Sequence, residues 1–478
     1  MTFVCMPTMV AGASPRLDRG GAFVFIYMCS IMEMICIMEI NAATKRSSEP
    51  RLTNGLVITD HYFDVPLDYS KPDGEKIIVF AREVALKGAS KKLPWMVFFQ
   101  GGPGGESPRL AASSGWCGEV LKTHRLLLLD QRGTGLSSQV MPQTLSTRGD
   151  AAAQAEYLTH FRTDSIVRDA EGIRKTLLGD GKWVGMGQSY GGFCLLTYLS
   201  FHPKGLSGVI ITGGVACIKQ DIKDNYRLTY KKVIDKNRLY FQRYPEDAEL
   251  VNEIVKCLQD KEVYLSSGVR LTDRRFQQLG MFFGGGGGLE AMHFLIEKAF
   301  INGVNGRELS EYFLAKVEQA SCYENNPIFS IMHESIYAEG YATQWAAEQL
   351  RAEFQEFDVN AEQFYFTGEM VSPGMLDDHQ SLHPLKEVAE ILAQKSDWSA
   401  LYDLDQLAKN EVPVSAISYY DDMYVPVEWS EETARHVGNF RIWVTNEWEH
   451  NGIGVDGPRI LSRLLRQLGE RAPFGYRG

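Results

Sequence analysis

Residues 182–201 read KWVGMGQSYGGFCLLTYLSF, and this stretch decides the fold. An apolar run of strand length, Trp183 to Met186, leads into Gly-Gln-Ser-Tyr-Gly, and a strongly apolar helix, Tyr190 to Phe201, follows. A serine between a strand and a helix in G-x-S-x-G is typical of a nucleophile held on a sharp turn, because the flanking glycines let the backbone pass without collision. The pattern predicts that Ser189 is a nucleophile. The alternative is a glycine-rich packing turn that carries an inert serine.

Apolar runs of similar length lie on both sides of this stretch. They are Trp95 to Phe99, Arg125 to Leu129, Val209 to Thr212 and Val414 to Tyr419. Runs that are apolar on both faces and alternate with helical stretches predict a mostly parallel sheet buried between two layers of helices. Two earlier strands, Ile58 to Val65 and Lys76 to Val84, are joined by turn residues.

Residues 215–410 interrupt this alternating pattern. Charged amphipathic helices dominate there, and strand-like runs are scarce. Gly284 to Gly288 form an unbroken glycine run, which predicts a flexible connection between helices. We therefore expect an inserted helical domain at 215–410, between a first part of the core at 51–214 and a second part at 411–478. Residues 1–50 precede this body as an extension.

An acid and a base for Ser189 are expected later in the chain. A serine hydroxyl is a poor nucleophile until a base takes its proton, and the chain order for this type of turn is serine, acid, histidine. Asp421 and Asp422 directly follow the strand run VSAISYY, and His450 follows the strand run FRIWVT. His450 is the expected base, with a surface-loop histidine as the alternative. The spacing leaves either aspartate as the acid.

The run Gln100-Gly101-Gly102-Pro103-Gly104 follows the strand WMVFF. Acyl transfer needs N–H donors that point at the developing oxyanion. The expected donors are the N–H of Tyr190, directly after the nucleophile, and the N–H of Gly102, since Pro103 has none. A phosphate-binding loop is excluded because no Lys-Ser/Thr pair follows the glycines.

The composition bounds the partners. Among 478 residues, 44% are hydrophobic and 23% are charged, which excludes a disordered or fibrous chain. Sixty acidic and 49 basic residues give a net charge of −11. No basic surplus is left to neutralise phosphates, so no nucleic-acid partner is expected. The eight cysteines form no CxxC or zinc-site pattern, and we expect reduced, mostly buried thiols.

The N-terminal fifty residues are the least regular part of the sequence. The apolar run from Ala22 to Met32 is shorter than the roughly 20 residues that span a bilayer. Three interpretations stay open: a non-structural extension or misplaced start, a targeting sequence, or a membrane-associated helix. The rest of the chain has no run long enough to insert in a membrane. The expected location is therefore cytoplasmic, and no oligomeric state is predicted.

Four motifs in this order carry a family resemblance. They are QGGPG at 100–104, DQRGTG at 130–135, GQSYGGF at 187–193 and D-M-x-x-P at 422–426. Together they resemble the proline iminopeptidases of the α/β-hydrolase superfamily, over roughly residues 55 to 470. Gln100 and Tyr190 stand where the smaller subtype of that family usually has His and Trp, so the resemblance is closest to the larger subtype.

The resemblance implies a fold and a chemistry. The fold would be an α/β-hydrolase core, with a mostly parallel sheet, and a large, mainly helical inserted cap domain. D-M-x-x-P selects Asp422 over Asp421, so the implied triad is Ser189, Asp422 and His450. The implied activity is that of a serine aminopeptidase that releases N-terminal proline from peptides through an acyl-enzyme. No metal ion or organic cofactor is expected.

Cap carboxylates bind the free α-amino group of the substrate in this family. His333-Glu334-Ser335-Ile336-Tyr337 resembles the family's cap motif, so Glu334 is the first candidate, Glu369 the second and Glu339 a weaker third. Nearby aromatic residues offer either a pocket for a pyrrolidine ring or plain core packing: Tyr337, Phe366, Phe282 and Phe283.

Two other functions remain open. A carboxylesterase or amide hydrolase on the same fold would cleave substrates without a free amino terminus. A non-catalytic binding protein on the hydrolase fold is the third alternative, although such proteins usually lack a member of the triad.

Overall fold

The computed structural model describes residues 40–304, 306–321 and 323–469, and within them ten strands form a central sheet. A separate two-stranded hairpin is formed by β9 and β10. The strands are β1 (Thr44–Ser47), β2 (Arg51–Thr53), β3 (Leu56–Pro66), β4 (Lys76–Leu86), β5 (Trp95–Phe99), β6 (Arg125–Asp130), β7 (Trp183–Gln188), β8 (Leu206–Thr212), β9 (Phe300–Gly303), β10 (Gly306–Leu309), β11 (Val414–Tyr419) and β12 (Phe440–Thr445).

The strand order in the sheet is β1-β3-β4-β6-β5-β7-β8-β11-β12, with β2 paired to β3. The six strands from β6 to β12 in this order run parallel, and β1 to β4 add antiparallel pairs at one edge. The prediction of a mostly parallel sheet is confirmed. The carboxyl ends of the central strands therefore meet along one edge, where a ligand site is expected in such folds.

The helices of the described residues cover both faces of this sheet and build most of the segment between β8 and β11. They are α1 (Gly115–Leu121), α2 (Pro142–Leu145), α3 (Ala151–Thr159), α4 (Thr163–Leu178), α5 (Tyr190–Phe201), α6 (Ile222–Arg243), α7 (Asp247–Asp260), α8 (Asp273–Gln277), α9 (Gly288–Ile296), α10 (Glu311–Ala320), α11 (Pro327–Met332), α12 (Ala346–Arg351), α13 (Pro373–Asp378), α14 (Lys386–Gln394), α15 (Leu404–Ala408), α16 (Val427–His436) and α17 (Gly452–Gly469).

Burial explains why these strands form the sheet. Every residue of WMVFF after Trp95 is buried, because apolar side chains of β5 meet helices on both faces. Helices α4 and α5 belong to the apolar core on one face, and α1 and α17 to the core on the other. This arrangement removes both faces of the parallel strands from water, which is the main favourable term in folding.

The segment from 213 to 413, called the insertion below, leaves and re-enters the sheet at neighbouring strands. Strands β8 and β11 are parallel, with Val209 opposite Val414 and Thr212 opposite Ile417. The chain therefore makes a long excursion and returns beside the strand that it left. The segment that the sequence predicts as an inserted domain, 215–410, falls within these bounds.

The insertion has two structural parts, which the sequence did not separate. Residues 222–317 and 346–370, called the helical lobe below, have their own apolar core, which contains Tyr230, Phe276 and Phe366. The apolar side chains around α11 and α14 join the main core instead, with Leu392 in the same cluster as Leu158. Because α14 packs on the core helix α3, this second part is continuous with the hydrolase core.

The amino-terminal boundary also differs from the expected one. Residues 1–39, which hold most of the expected extension, lie outside the described residues. The ordered body begins before residue 51, since β1 pairs with β3 from Thr44 opposite Asp64 to Ser47 opposite His61. No helix in the described part of the chain is both long and apolar enough to cross a membrane.

The motif DQRGTG gives the core a buried ion pair. The Arg132 guanidinium donates to Asp169 of α4 through Nε at 2.7 Å and Nη2 at 2.5 Å, and both side chains are buried. It also donates to three main-chain carbonyl oxygens, those of Pro66, Leu67 and His160. Burial raises the pKa of Asp169, and the attraction of Arg132 opposes that rise. The motif therefore ties β3, β6 and α4 together.

We predict that Arg132→Met lowers the free energy of unfolding by about 3–5 kcal/mol, because the Asp169 carboxylate then stays buried without its partner. Urea denaturation measures this loss. Arg46→Met is the matched control: the Arg46–Asp64 pair is exposed, so its loss should cost about 1 kcal/mol or less. Equal stability of the two variants would contradict the structural role of Arg132.

Candidate active site

Ser189 occupies a strained turn between β7 and α5. Its backbone has φ 52° and ψ −125°, a conformation that side-chain-bearing residues rarely adopt. The turn is tight enough that a Cβ on Gly187 would overlap the Gly191 backbone, and a Cβ on Gly191 would overlap the Phe99 carbonyl. The Ser189 N–H donates to the Thr212 carbonyl at 2.9 Å, which ties the turn to β8. The serine is thus held at the carboxyl edge of the sheet.

The glycine-rich loop after β5 lies against Ser189. A Cβ built on Gly101 would stand 3.0 Å from the Ser189 Cβ and 3.7 Å from its Oγ. The Gly101 N–H donates to the Gln100 side-chain oxygen at 3.1 Å and is therefore engaged within the loop. Of the two predicted oxyanion donors, Tyr190 directly follows Ser189 in the chain, and Gly102 directly follows the glycine that lies against Ser189.

Tyr190 is fixed by its own side chain. The ring is buried, and its hydroxyl lies 2.8 Å from the Thr163 Oγ1 at the start of α4. As the first residue of α5, Tyr190 belongs to the helix turn whose N–H groups have no partner within the helix. The backbone N–H of this residue is therefore available at the positive end of the helix dipole.

His450 is paired with Asp422. The His450 Nδ1 lies 2.7 Å from the Asp422 Oδ2, and the Asp422 carboxylate is fully buried. The other oxygen of Asp422 accepts N–H groups from Tyr424 at 2.8 Å and Val425 at 3.0 Å. Asp421 is exposed to solvent instead. The structure thus brings Asp422, and not Asp421, to the histidine.

The electrostatics of this pair favour a charged imidazole. Burial lowers the pKa of His450, but the attraction and hydrogen bond of Asp422 outweigh burial, so the pKa is raised above its ordinary value. Glu369 and Glu449 contribute in the same direction. An imidazolium that forms during a reaction is therefore stabilised at this position.

The histidine stands over the ends of the strands that carry the serine turn. A Cβ on Gly213, directly after β8, would be 3.2 Å from the His450 Nδ1. The Gln188 side chain, directly before Ser189, donates to the His450 carbonyl at 3.3 Å. These contacts place His450 beside the end of β8, to which the Ser189 turn is hydrogen-bonded.

Glu369 is a carboxylate without a protein partner. Among the described residues, no hydrogen bond or ion pair reaches its side chain, and its interactions are long-range ones with His450 and Asp422. Burial raises its pKa from 4.5 to about 8. The residue is half-buried, so part of its surface stays accessible to a ligand. Such a group is suited to receive a cation from outside the protein.

Glu334 has a different environment. Its two carboxylate oxygens accept the N–H groups of Ala346 and Ala347, each at 3.0 Å, at the start of α12. Burial raises the pKa of Glu334 as well, and these hydrogen bonds oppose the rise. Tyr226 lies within electrostatic reach of both Glu334 and Glu369. Glu339, the third candidate, accepts the Leu401 N–H at 3.1 Å.

Aromatic residues near the site are partly different from those expected. Tyr337 interacts electrostatically with Glu369 and packs edge-on against Phe193 of α5, with ring centroids 5.5 Å apart. Phe283 and Phe366 lie in the core of the helical lobe, so core packing is their role. Phe282 instead lines an open surface groove on the lobe.

Sequence reasoning missed three tyrosines of the site. Tyr323, Tyr226 and Tyr424 each lie within electrostatic reach of Glu369. The Tyr424 ring also packs edge-on against the His450 ring, with centroids 4.8 Å apart. Tyr424 occupies a variable position of D-M-x-x-P, so its place beside the acid was a usable signal. No pattern in the sequence marked the other two.

Comparison with known proteins gives the class and the family. A family model described as the alpha/beta hydrolase fold matches residues 94–276, and with the site above it places the chain among the α/β-fold serine hydrolases. A proline iminopeptidase of Aeromonas sobria is 46% identical over 416 residues, which are 86% of this chain and 97% of the relative. The chain belongs to the proline iminopeptidase family.

A second relative agrees with this assignment. A proline iminopeptidase of Aspergillus aculeatus is 36% identical over 84% of this chain and 92% of its own length. Among solved structures, a proline iminopeptidase from Mycobacterium smegmatis matches 85% of this chain and 97% of its own length, at 14% identity and a TM-score of 0.42.

We predict that Glu369→Gln raises the melting temperature, and that the gain grows with pH. The unfolded carboxyl ionises near pH 4.5 but the folded one only near 8, so the folded state loses stability as pH rises between these values. Each unit of that difference corresponds to about 1.4 kcal/mol. Thermal unfolding at pH 5.5, 7 and 8.5 measures the gain, which should level off above pH 8. A gain that is independent of pH would contradict the raised pKa.

Proposed function

We propose that this protein is a serine aminopeptidase that releases N-terminal proline from peptides. The observation that carries the proposal is the unpaired Glu369 carboxylate, which lies within electrostatic reach of the His450–Asp422 pair. A carboxylate that has no protein cation, placed beside a hydrolytic site, selects substrates that bring a positive charge of their own. A free amino terminus next to the scissile bond is such a charge.

In the proposed reaction, Ser189 Oγ attacks the carbonyl carbon of the N-terminal residue while His450 takes the hydroxyl proton. Asp422 orients the imidazole and stabilises its charged form. The N–H groups of Gly102 and Tyr190 donate to the oxyanion of the tetrahedral intermediate. His450 then protonates the leaving amine, and a water molecule, activated by the same histidine, hydrolyses the acyl-enzyme and frees the amino acid.

Glu369 is the proposed site for the substrate's α-amino group. A substrate ammonium offers hydrogen bonds and charge to the carboxylate, so binding favours the ionised form of Glu369 and releases its proton. The distance from this carboxylate to the triad would then measure one residue from the amino terminus, which distinguishes an exopeptidase from an endopeptidase. Glu334 is proposed as a second, weaker contributor, because its oxygens are already engaged at the start of α12.

The insertion is proposed to act as the cap of the site, because it supplies Glu369 and three of the four tyrosines within its electrostatic reach. Tyr226 and Tyr337 would offer flat apolar surface to a pyrrolidine ring, as aromatic side chains do elsewhere. The proposed partners are peptides with a free N-terminal proline. A cytoplasmic location is also proposed, since the four described cysteines (Cys117, Cys194, Cys217 and Cys257) are free thiols.

The proposal predicts a specific substrate pattern. Prolyl-β-naphthylamide should be hydrolysed, whereas its N-acetylated form, which has no ammonium group for Glu369, should be hydrolysed at least about 100-fold more slowly, because it loses the charge-assisted hydrogen bonds to that carboxylate, about 1.5–3 kcal/mol each. Steady-state kinetics with both amides and a simple butyrate ester measures this preference. Ser189→Ala is the control and should abolish all three activities. Indifference to N-acetylation would indicate a general esterase.

Glu369→Gln should lower kcat/KM for the free prolyl amide by about 10–100-fold, because a hydrogen bond between charged groups is replaced by a neutral one. Ester hydrolysis should change little, because the triad is untouched. Glu339→Gln is the matched control in the same insertion and should keep the wild-type value for both substrates. A loss in Glu339→Gln that equals the loss in Glu369→Gln would place the amino group elsewhere.

A further inference from the structure

Lys236 and Glu449 form an ion pair, with a buried lysine and a half-buried glutamate, between the insertion and the loop that carries His450. Lys236, on α6 of the helical lobe, is 5% exposed, and its Nζ donates to the Glu449 Oε1 at 2.6 Å. In the described residues, the other carboxylate oxygen of Glu449 is buried and has no hydrogen-bond partner. An ion pair with a buried lysine that leaves one buried carboxylate oxygen unsatisfied is a poor source of stability. Because the pair lies next to His450, we infer that it has a role other than stabilising the fold.

The next two residues also bond to the insertion. The His450 N–H donates to the Gly284 carbonyl at 3.2 Å, and the Asn451 Oδ1 accepts the Gly286 N–H at 2.9 Å. Residues 449–451, called the base loop below, are thus bound one after another by the helical lobe. Both glycines belong to the glycine run at 284–288, which the sequence suggested was only a flexible connection.

Tyr424 fills the space between the glycine run and the histidine. Its hydroxyl donates to the Met281 carbonyl, and its ring packs on the His450 ring. A Cβ on Gly284 would overlap the Tyr424 ring. A residue with a side chain at 284 would push the lobe away from the base loop, so glycine is required there for close packing.

The core holds His450 at other atoms. Asp422 binds the ring at Nδ1, and Gln188 donates to the carbonyl. The N–H group and the flanking side chains are left to the insertion. The position of the imidazole along the edge of the sheet therefore depends on both parts of the protein.

We propose that Lys236, together with the Gly284 carbonyl, positions His450 for catalysis, so that the base is aligned only while the helical lobe is seated on the base loop. This inference rests on the proposed role of His450 as the base. Lys236 acts through Glu449 and is a positioning residue, since it does not touch the reacting atoms. Binding of a substrate to Glu369 and alignment of the base would then involve the same body, the insertion.

Lys236→Met and the double variant Lys236→Met/Glu449→Gln test the proposal. The double variant removes both charges, so neither group is left buried alone. We expect kcat for the prolyl amide and for a butyrate ester to fall about 10-fold or more in both variants, because small misplacements of a catalytic group have large effects on rate. KM for the prolyl amide should stay within about 3-fold of the wild type, since Glu369 is unchanged, and thermal unfolding would verify that each variant is folded.

Lys232→Met is the matched control. Lys232 lies one turn earlier on α6 and pairs at the surface with Glu428 at 2.8 Å, so its loss should leave kcat and KM unchanged. If both Lys236 variants fail to fold, Asn451→Ala decides, because it removes one hydrogen bond from an exposed residue. A kcat about 2–5-fold below the wild type is expected for Asn451→Ala.

The pH profile supplies a readout that a merely structural role would not move. Asp422, Glu369 and Glu449 are the charged groups that raise the pKa of His450. In Glu449→Gln, which removes the negative charge and keeps Lys236, the acidic limb of the kcat/KM profile for the ester should shift to lower pH. An unchanged profile in Glu449→Gln together with a wild-type kcat in the double variant would overturn the proposal.

The ester separates this proposal from the proposed function. If the wild type cleaves the ester but not the prolyl amide, the substrate assignment is wrong, and the effect of Lys236→Met on ester hydrolysis still tests the positioning role. If the wild type cleaves the prolyl amide and the Lys236 variants match it in kcat on both substrates, the positioning role alone is wrong.

Discussion

The positive φ of Ser189 is the constraint on which the rest of the site depends. A residue with a side chain adopts this conformation only where its surroundings enforce it, at a cost of roughly 1–3 kcal/mol. Here the chain enters the turn from β7 and leaves it in α5. Gly187 and Gly191 carry no side chains that would overlap the neighbouring backbones. Once the turn is fixed, the glycine-rich loop after β5 and the loop that carries His450 have a common reference point at the carboxyl edge of the sheet.

Two carboxylates near that point show how surroundings divide the tasks of identical chemical groups. Asp422 is buried and fully engaged, with one oxygen on the histidine and the other on two N–H groups of its own loop. Glu369 has no such partners, so its ionised form is unfavourable until a cationic ligand binds. The first arrangement serves to hold a neighbour in place. The second arrangement provides a binding site for a cationic ligand but lowers the stability of the folded protein.

The sequence was sufficient to predict the mostly parallel sheet and the turn that carries Ser189. Strand length, apolar runs and the glycines around Ser189 are local properties of the chain. It was less informative where distant segments meet. Glu334 was ranked before Glu369, although the hydrogen bonds that occupy Glu334 come from Ala346 and Ala347, and no local pattern announces that contact. Tyr323 and Tyr226 were missed for the same reason. The glycine run at 284–288 was read as a flexible connection, while its carbonyl and N–H groups contact the His450 loop.

The neighbouring positions of β8 and β11 have a consequence for how such proteins diversify. Because the insertion begins and ends at adjacent parallel strands, its helical lobe is joined to the sheet at one place, the paired strands β8 and β11. A lobe of different size or shape can take its place in a related protein while the pairing of β8 with β11 stays the same. The exchangeable unit excludes α11 and α14, however, because their apolar faces complete the main core. A change in the helical lobe therefore alters the surroundings of Glu369 and of the His450 loop together, whereas α11 and α14 stay with the core.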